Sequence, residues 1–184
     1  ADCTYMGLFE VLKVPPDLVI SGINDGYNLG TDVFYSGTFA GAFEGALRGL
    51  PALALSTNRG APEEILVAVS RAAITVAIRM LEIPLAAGTV LNMNHPDVLV
   101  PQGIRMTSLG KRVYLDDVEK RLDPRGVPYY WIGGSPSFGF DNLVGGERGA
   151  LIENFISLTP VNQVNISHPE EYAHFENLNG KVAR

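Results

Sequence analysis

The chain has 184 residues, 46% hydrophobic and 18% charged, with a formal net charge of −6. Such a composition excludes a disordered chain, and glycine and proline without a period exclude a collagen-like one. The negative charge argues against a nucleic-acid polymer as partner, because that needs a basic face, but leaves a small anionic substrate open.

Residues 2–12 carry apolar side chains at three- and four-residue spacing and predict a short helix, ended by Pro15 and Pro16. The chain enters on this helix at Ala1, and the expectation is that the natural protein has residues before it. Cys3, the single cysteine, allows no internal disulfide and no cysteine-built zinc site, and it fits a reducing compartment. No signal peptide is visible, and a cytoplasmic protein is expected. Leu18, Val19 and Ile20 predict a buried strand closed by Ser21-Gly22. A loop rich in glycine and asparagine follows and runs into Tyr35-Ser-Gly-Thr38. Ser36 is placed to cap a helix from 37 to about 48, which Gly49 and Pro51 stop. Residues 52–56 predict a second buried strand, giving a βαβ unit whose crossover is expected to be right-handed. Gly41 and Gly45 inside the helix each cost about 1 kcal/mol against alanine. Close approach of helix to sheet is the expected compensation.

Pro62 opens the next helix, with Glu63 and Glu64 at its positive end, and the helix runs to about 82. Its apolar run is broken by Ser70, Arg71, Thr75 and Arg79, so it reads as a core helix and not a membrane span. Residues 89–93 predict a third strand, closed by Asn92-Met-Asn-His-Pro96, and 103–109 alternate like a strand. These elements predict an α/β fold with a mainly parallel, doubly wound sheet in one domain over 1–184. Residues 111–132 combine a charged stretch, a turn at Asp123-Pro-Arg-Gly126 and an aromatic strand, and predict a projecting β-hairpin. Residues 135–149 read as a glycine-rich loop, 155–158 as a strand ended by Pro160, and 168–178 as a short helix.

Asn24, just past the predicted strand end, offers an amide oxygen, a hard neutral ligand for Mg²⁺, Mn²⁺ or Ca²⁺. It reads equally as a turn cap, and Asn28 has the same two readings. Ser36, Gly37 and Thr38 form a helix start whose outward amides, flanking hydroxyls and dipole suit a phosphate. An ordinary serine cap is the other reading, and the facing asparagine loop favours the phosphate. Neither a dinucleotide glycine fingerprint nor a P-loop lysine is present. The histidines do not cluster: His95 reads as a turn residue within reach of a site, and His168 and His174 as surface or packing residues. Asp116-Asp117 reads as a solvated pair on the charged arm.

Ser21-Gly-Ile-Asn24, Gly26, Asn28-Leu-Gly30, Asp32, Tyr35-Ser-Gly-Thr38, Glu44-Gly45 and Gly49-x-Pro51-Ala-x-Ala54 closely resemble the SurE (survival protein E) family. Leu91-Asn-x-Asn94-x-Pro96, Gly103-Ile-Arg105, Asp123-Pro-Arg-Gly126, Tyr130-Trp-Ile-Gly133 and Ile156-Ser-Leu-Thr-Pro160 extend the match over nearly the whole chain. The resemblance implies a Rossmann-like three-layer core, a projecting hairpin over 111–132 and a C-terminal arm over 161–184 used in homodimers or homotetramers. It implies metal-dependent hydrolysis of nucleoside 5′/3′-monophosphates, with short polyphosphate as a second substrate in some members. The divalent metal would be Mg²⁺ or Mn²⁺. Asn24 matches the family's asparagine ligand, Ser36, Gly37 and Thr38 its phosphate-holding helix start, and Asn28 a residue lining the pocket.

In that family two adjacent aspartates on the first strand and a later serine also hold the metal, and their positions precede Ala1. The sequence is therefore expected to cover roughly the C-terminal two-thirds to three-quarters of the domain. One neutral amide cannot hold Mg²⁺ or Mn²⁺ without carboxylates, so a non-catalytic, oligomeric phosphate-binding protein is the alternative if these residues are the whole product. His95 stands where the family usually has an apolar residue, and Gly146-Glu147 where it often has Thr-Asp. Neither change is expected to touch the matched site block.

Overall fold

The computed structural model describes residues 1–113, 118–132, 139–140 and 145–162. Helix α1 (Asp2–Met6) continues as a π-helical turn over Gly7–Val11, as the apolar spacing predicts. Strand β1 (Val19–Asp25), a 3-10 turn (Gly30–Tyr35), α2 (Gly37–Leu47), β2 (Ala52–Thr57), α3 (Glu63–Glu82) and β3 (Thr89–His95) follow. Next come β4 (Ile104–Met106), β5 (Arg112–Val113) and the hairpin strands β6 (Val118–Leu122) and β7 (Pro128–Ile132). The described chain closes with β8 (Gly139–Phe140), α4 (Glu147–Ile152) and β9 (Ile156–Asn162). The predicted helix at 168–178, His168, His174, Asp116-Asp117 and most of the predicted arm lie outside the described residues.

Five strands form one sheet in the order β1-β2-β3-β9-β4. β1, β2 and β3 are parallel, β9 is antiparallel to β3, and β4 is parallel to β9. The sheet is thus mainly parallel, as expected, with a reversed pair at one edge. β2 is buried at every position, and its alternation sorts the two faces. Ala52 and Ala54 pack with Phe39, Ala42 and Ala46 of α2, while Leu53 and Leu55 pack with Ala73, Val76 and Met80 of α3. The two helices therefore cover opposite faces, which makes the three layers. Three parallel strands in sequential order, joined once over each face, have crossovers of opposite hand. Only one of the two can be the common right-handed kind.

The glycines of α2 do what their cost implied. A Cβ on Gly45 would stand 2.6 Å from Val19 Cγ2, and one on Gly41 2.7 Å from Ser21 Oγ. Helix and strand approach closer than any side chain allows.

Several elements differ from the sequence reading. β1 does not close at Ser21-Gly22 but runs on to Asp25, and as the edge strand of the sheet it is half-buried, with Ile20 exposed, where a buried strand was expected. Ser21 pairs with Ala54 and Asn24 with Ser56, so three residues of β1 advance against two of β2. That bulge reverses the alternation and brings Asn24 to the same face as Ser21. β3 likewise continues through the segment expected to close it, with Asn92, Asn94 and His95 buried inside the strand. Finally, α4 starts within the predicted loop, and Pro160 lies inside β9 instead of ending it. β4 pairs with β9 only over Ile156–Leu158, so at Pro160 no strand on that side needs the missing N–H.

Within the 111–132 segment, β6 and β7 pair as an antiparallel hairpin, while Arg112 and Val113 pair with β8. Val118 pairs with Ile132 and Leu122 with Pro128, and Asp123 Oδ1 accepts from the amides of Arg125 and Val127, each at 2.8 Å. Among the described residues no helix is long and apolar enough to cross a membrane.

Candidate functional site

The bulge in β1 points Asn24 at the first turn of α2. Thr38 Oγ1 donates to Asn24 Oδ1 at 3.1 Å, and Asn24 Nδ2 donates to the Gly26 carbonyl at 2.7 Å. Ser36 caps the helix: its Oγ accepts from Phe39 N at 3.1 Å, and its carbonyl from Ala40 N at 2.9 Å. The amides of Gly37 and Thr38 belong to the first turn, where no earlier carbonyl of the helix reaches them. They stand at the positive end of the helix dipole. A Cβ placed on Gly37 or on Gly26 would meet nothing within 4 Å, so both backbones face open space. Two first-turn amides and the Ser36 hydroxyl thus border open space at the positive end of α2, with Asn24 Oδ1 beside them as an acceptor.

Asn28 is placed differently from Asn24. It is 6% exposed, and its side chain is turned inward, Nδ2 donating to Ser56 Oγ at 2.9 Å. Its N–H donates to Asn94 Oδ1 at 2.9 Å, and its carbonyl accepts from Asn92 Nδ2 at 2.9 Å and Asn94 Nδ2 at 3.0 Å. The structure thus brings Asn24, Ser36, Gly37 and Thr38 together and sets Asn28 behind them, in the protein's interior.

Behind the site runs a buried polar seam that the sequence reading missed. Ser56 is paired with Asn94, Asn94 with Ser157 and Asn92 with Thr159, so their side chains share one face of the sheet. Thr107 Oγ1 joins Ser157 Oγ at 2.9 Å and Thr159 Oγ1 at 2.7 Å. Glu147, 2% exposed, closes the seam from α4. Its Oε2 accepts from Gly30 N at 2.7 Å and Gly110 N at 3.5 Å. Its Oε1 accepts from Asn92 Nδ2 at 3.1 Å and Thr159 Oγ1 at 3.0 Å. Burial raises the pKa of this carboxyl above the ordinary glutamate value, and those same hydrogen bonds work against the rise. The expectation that Gly146-Glu147 leaves the site block untouched is therefore corrected: Glu147 binds Gly30, inside that block. A signal was present in Asn92-x-Asn94, because alternating polar residues in a central strand mark a face that is not oil.

His95 belongs to neither group. It is fully buried near the end of β3, on the α3 side of the sheet, where it borders a cleft of about 720 Å³ with Glu63, Arg71 and Leu99. Its Nδ1 lies 2.7 Å from the Pro96 carbonyl, so Nδ1 carries the proton; Nε2 has no partner among the described residues.

Asn24 Oδ1 can serve a divalent cation as one hard neutral ligand, with a lone pair beyond the one Thr38 uses. Among the described residues no group of three His, Cys, Asp or Glu side chains is placed to hold an ion. These residues alone do not fit a divalent cation, which requires carboxylate oxygens as well.

Sheet, layers and site define the class: a Rossmann-like α/β protein with a polar site at the carboxyl ends of its parallel strands. The family described as survival protein SurE matches residues 1–116 by its sequence model. The chain is 42% identical over 162 residues to the 5′-nucleotidase SurE of Desulforamulus reducens, covering 88% of this chain and 63% of that protein. It is 40% identical over 182 residues to the 5′/3′-nucleotidase SurE of Escherichia coli O7:K1, covering 97% of this chain and 70% of that one. The crystal structure of the SurE protein from Aquifex aeolicus superposes with a TM-score of 0.77 at 33% identity, over 97% of this chain and 72% of that one. This chain belongs to the SurE family. It spans 63% of the length of the first of these relatives.

Proposed function

We propose that the chain supplies the phosphate-holding part of a phosphomonoesterase site that hydrolyses nucleoside 5′- or 3′-monophosphates. The observation that carries this is the 3.1 Å bond from Thr38 Oγ1 to Asn24 Oδ1, which locks the strand end to the helix start. The names of the relatives from D. reducens and E. coli supply the substrate class. The amides of Gly37 and Thr38 and the Ser36 hydroxyl would hold the non-bridging phosphate oxygens, while the Thr38 hydroxyl, donating to Asn24 Oδ1, fixes the helix start against the strand end. Donors fixed in advance stabilise the charge that grows on those oxygens as the ester bond breaks. Asn28 supports this wall from within. A divalent metal, when bound, would activate water and offset phosphate charge, and Asn24 would be one of its ligands. The hard amide oxygen suits Mg²⁺ or Mn²⁺, the metals that the resemblance to the family implies. Short polyphosphate presents the same terminal group and would be a second substrate.

The exposed apolar strip of the hairpin, with Tyr130, Trp131 and Ile132, supports a homodimer or homotetramer. No membrane and no nucleic-acid polymer enters the proposal, and the single cysteine supports a cytoplasmic site of action.

Thr38→Val in the full-length protein tests the reading, because it keeps the shape and removes the hydroxyl. Turnover of nucleoside monophosphates should fall on the order of a hundredfold, the cost of a misplacement of about 1 Å once the bond to Asn24 is lost. Asn24→Ala should in addition weaken metal activation. Turnover equal to the parent in both variants would overturn the assignment.

A further inference from the structure

We propose that Glu147 is a positioning residue for the phosphate-holding helix start, resting on the function proposed above. Its carboxylate pins Gly30, and Gly30 opens the turn that delivers Ser36, Gly37 and Thr38 to the end of β1.

The loop between Asn24 and Ser36 has to place two groups from different elements within hydrogen-bond distance of each other. It is held at two successive points. Asn28 is fixed through both its N–H and its carbonyl by Asn94 and Asn92. Gly30 is fixed through its N–H, at 2.7 Å, by Glu147 Oε2. Gly30 has φ +56, a left-handed turn, and the 3-10 turn that starts there ends next to Ser36. Any rotation of the chain at Gly30 is passed along that rigid turn to the cap of α2.

A carboxylate is an expensive group to bury, and a neutral acceptor would satisfy a single amide. Here the acceptor faces four donors from four places: Gly30, Gly110, Asn92 and Thr159. Only a group with two oxygens and about four lone-pair sites can take them together. Asn92 ties the two anchors into one unit, because its Nδ2 serves both Glu147 Oε1 and the Asn28 carbonyl. Glu147 lies 117 residues from Gly30 in the chain. It touches none of Asn24, Ser36, Gly37 or Thr38, so its action on the site passes through the loop.

The test uses the full-length protein with Glu147→Gln and Glu147→Asp, read by steady-state kinetics and by amide hydrogen exchange. Gln keeps the shape but turns a donor toward a donor; Asp keeps both oxygens. A displaced helix start acts on the transition state more than on ground-state binding. For Glu147→Gln, kcat should fall at least about tenfold while KM changes less, since small misplacements cost rate steeply. Glu147→Asp should recover a substantial part of that kcat. In Glu147→Gln the amides of Gly30 and of the turn that follows should exchange about tenfold faster, with the β3 amides unchanged. A folded Gln variant with parental kcat, or with Gly30 as well protected as in the parent, would overturn the proposal. Were the parent itself inactive on nucleoside monophosphates, the proposed function would fall and the exchange result alone would decide the role of Glu147.

Discussion

Ser36 fixes where α2 begins, and α2 carries the amides of the proposed phosphate site. Its Oγ takes the Phe39 amide, an N–H that the helix cannot satisfy by itself. Ser36→Ala should cost about 1 kcal/mol, and a domain of this size should lose roughly 2–4 °C in Tm, measured by thermal denaturation. Such single-residue logic is why the helix start was readable: a cap, its glycine and its threonine are neighbours in sequence. Glu147 was not readable for the opposite reason. Its four partners come from separate elements, and nothing around it in the sequence distinguishes it from a surface glutamate. The direction of Asn24 was also hidden. Its face depends on a bulge, and alternation alone would have sent it to the far side of the sheet.

At the scale of elements, α2 contrasts two glycines whose substitution should act in opposite ways. Gly45→Ala improves helix propensity by about 1 kcal/mol yet drives a methyl into Val19, a stiff β-branched side chain on the half-buried edge strand β1. Net destabilisation of about 1–3 kcal/mol should follow, checked by urea denaturation. Gly37→Ala meets no atom of the protein and should leave stability unchanged or slightly raised. It should instead reduce turnover, by filling space the phosphate needs. The second strand and the first two long helices were legible because period and punctuation agree there. β3, α4 and β9 were less so. Polar residues inside β3 looked like a strand end, and Pro160 looked like a stop because the early end of β4 is a tertiary fact.

Across the whole molecule, two buried titratable groups pull stability in opposite directions with pH. Burial lowers the pKa of His95 below its ordinary 6.5. Its contribution is therefore present above pH 6.5 and is lost as pH falls through the folded value. Glu147, raised above 4.5, contributes fully below that pH and loses its contribution as pH rises through its folded value. Glu147 thus cannot produce a fall in stability on mild acidification, whereas His95 can. The urea midpoint should decline from about pH 7 to about pH 5, and His95→Val should flatten that decline. An equal decline in both proteins would remove His95 as its source.

The sheet has one further consequence. On the side facing α3, Leu53, Leu55, Leu91 and Met93 are held together by volume alone, and one aliphatic residue can replace another if the sum is kept. On the other side, Ser56, Asn92, Asn94, Ser157 and Thr159 are held by directional hydrogen bonds, and an aliphatic exchange at any of them strands a buried donor or acceptor. Adjacent residues of the same strand are therefore bound by different rules of inheritance. The aliphatic positions can exchange for one another at constant volume, while the polar positions on the reverse change only by coordinated steps.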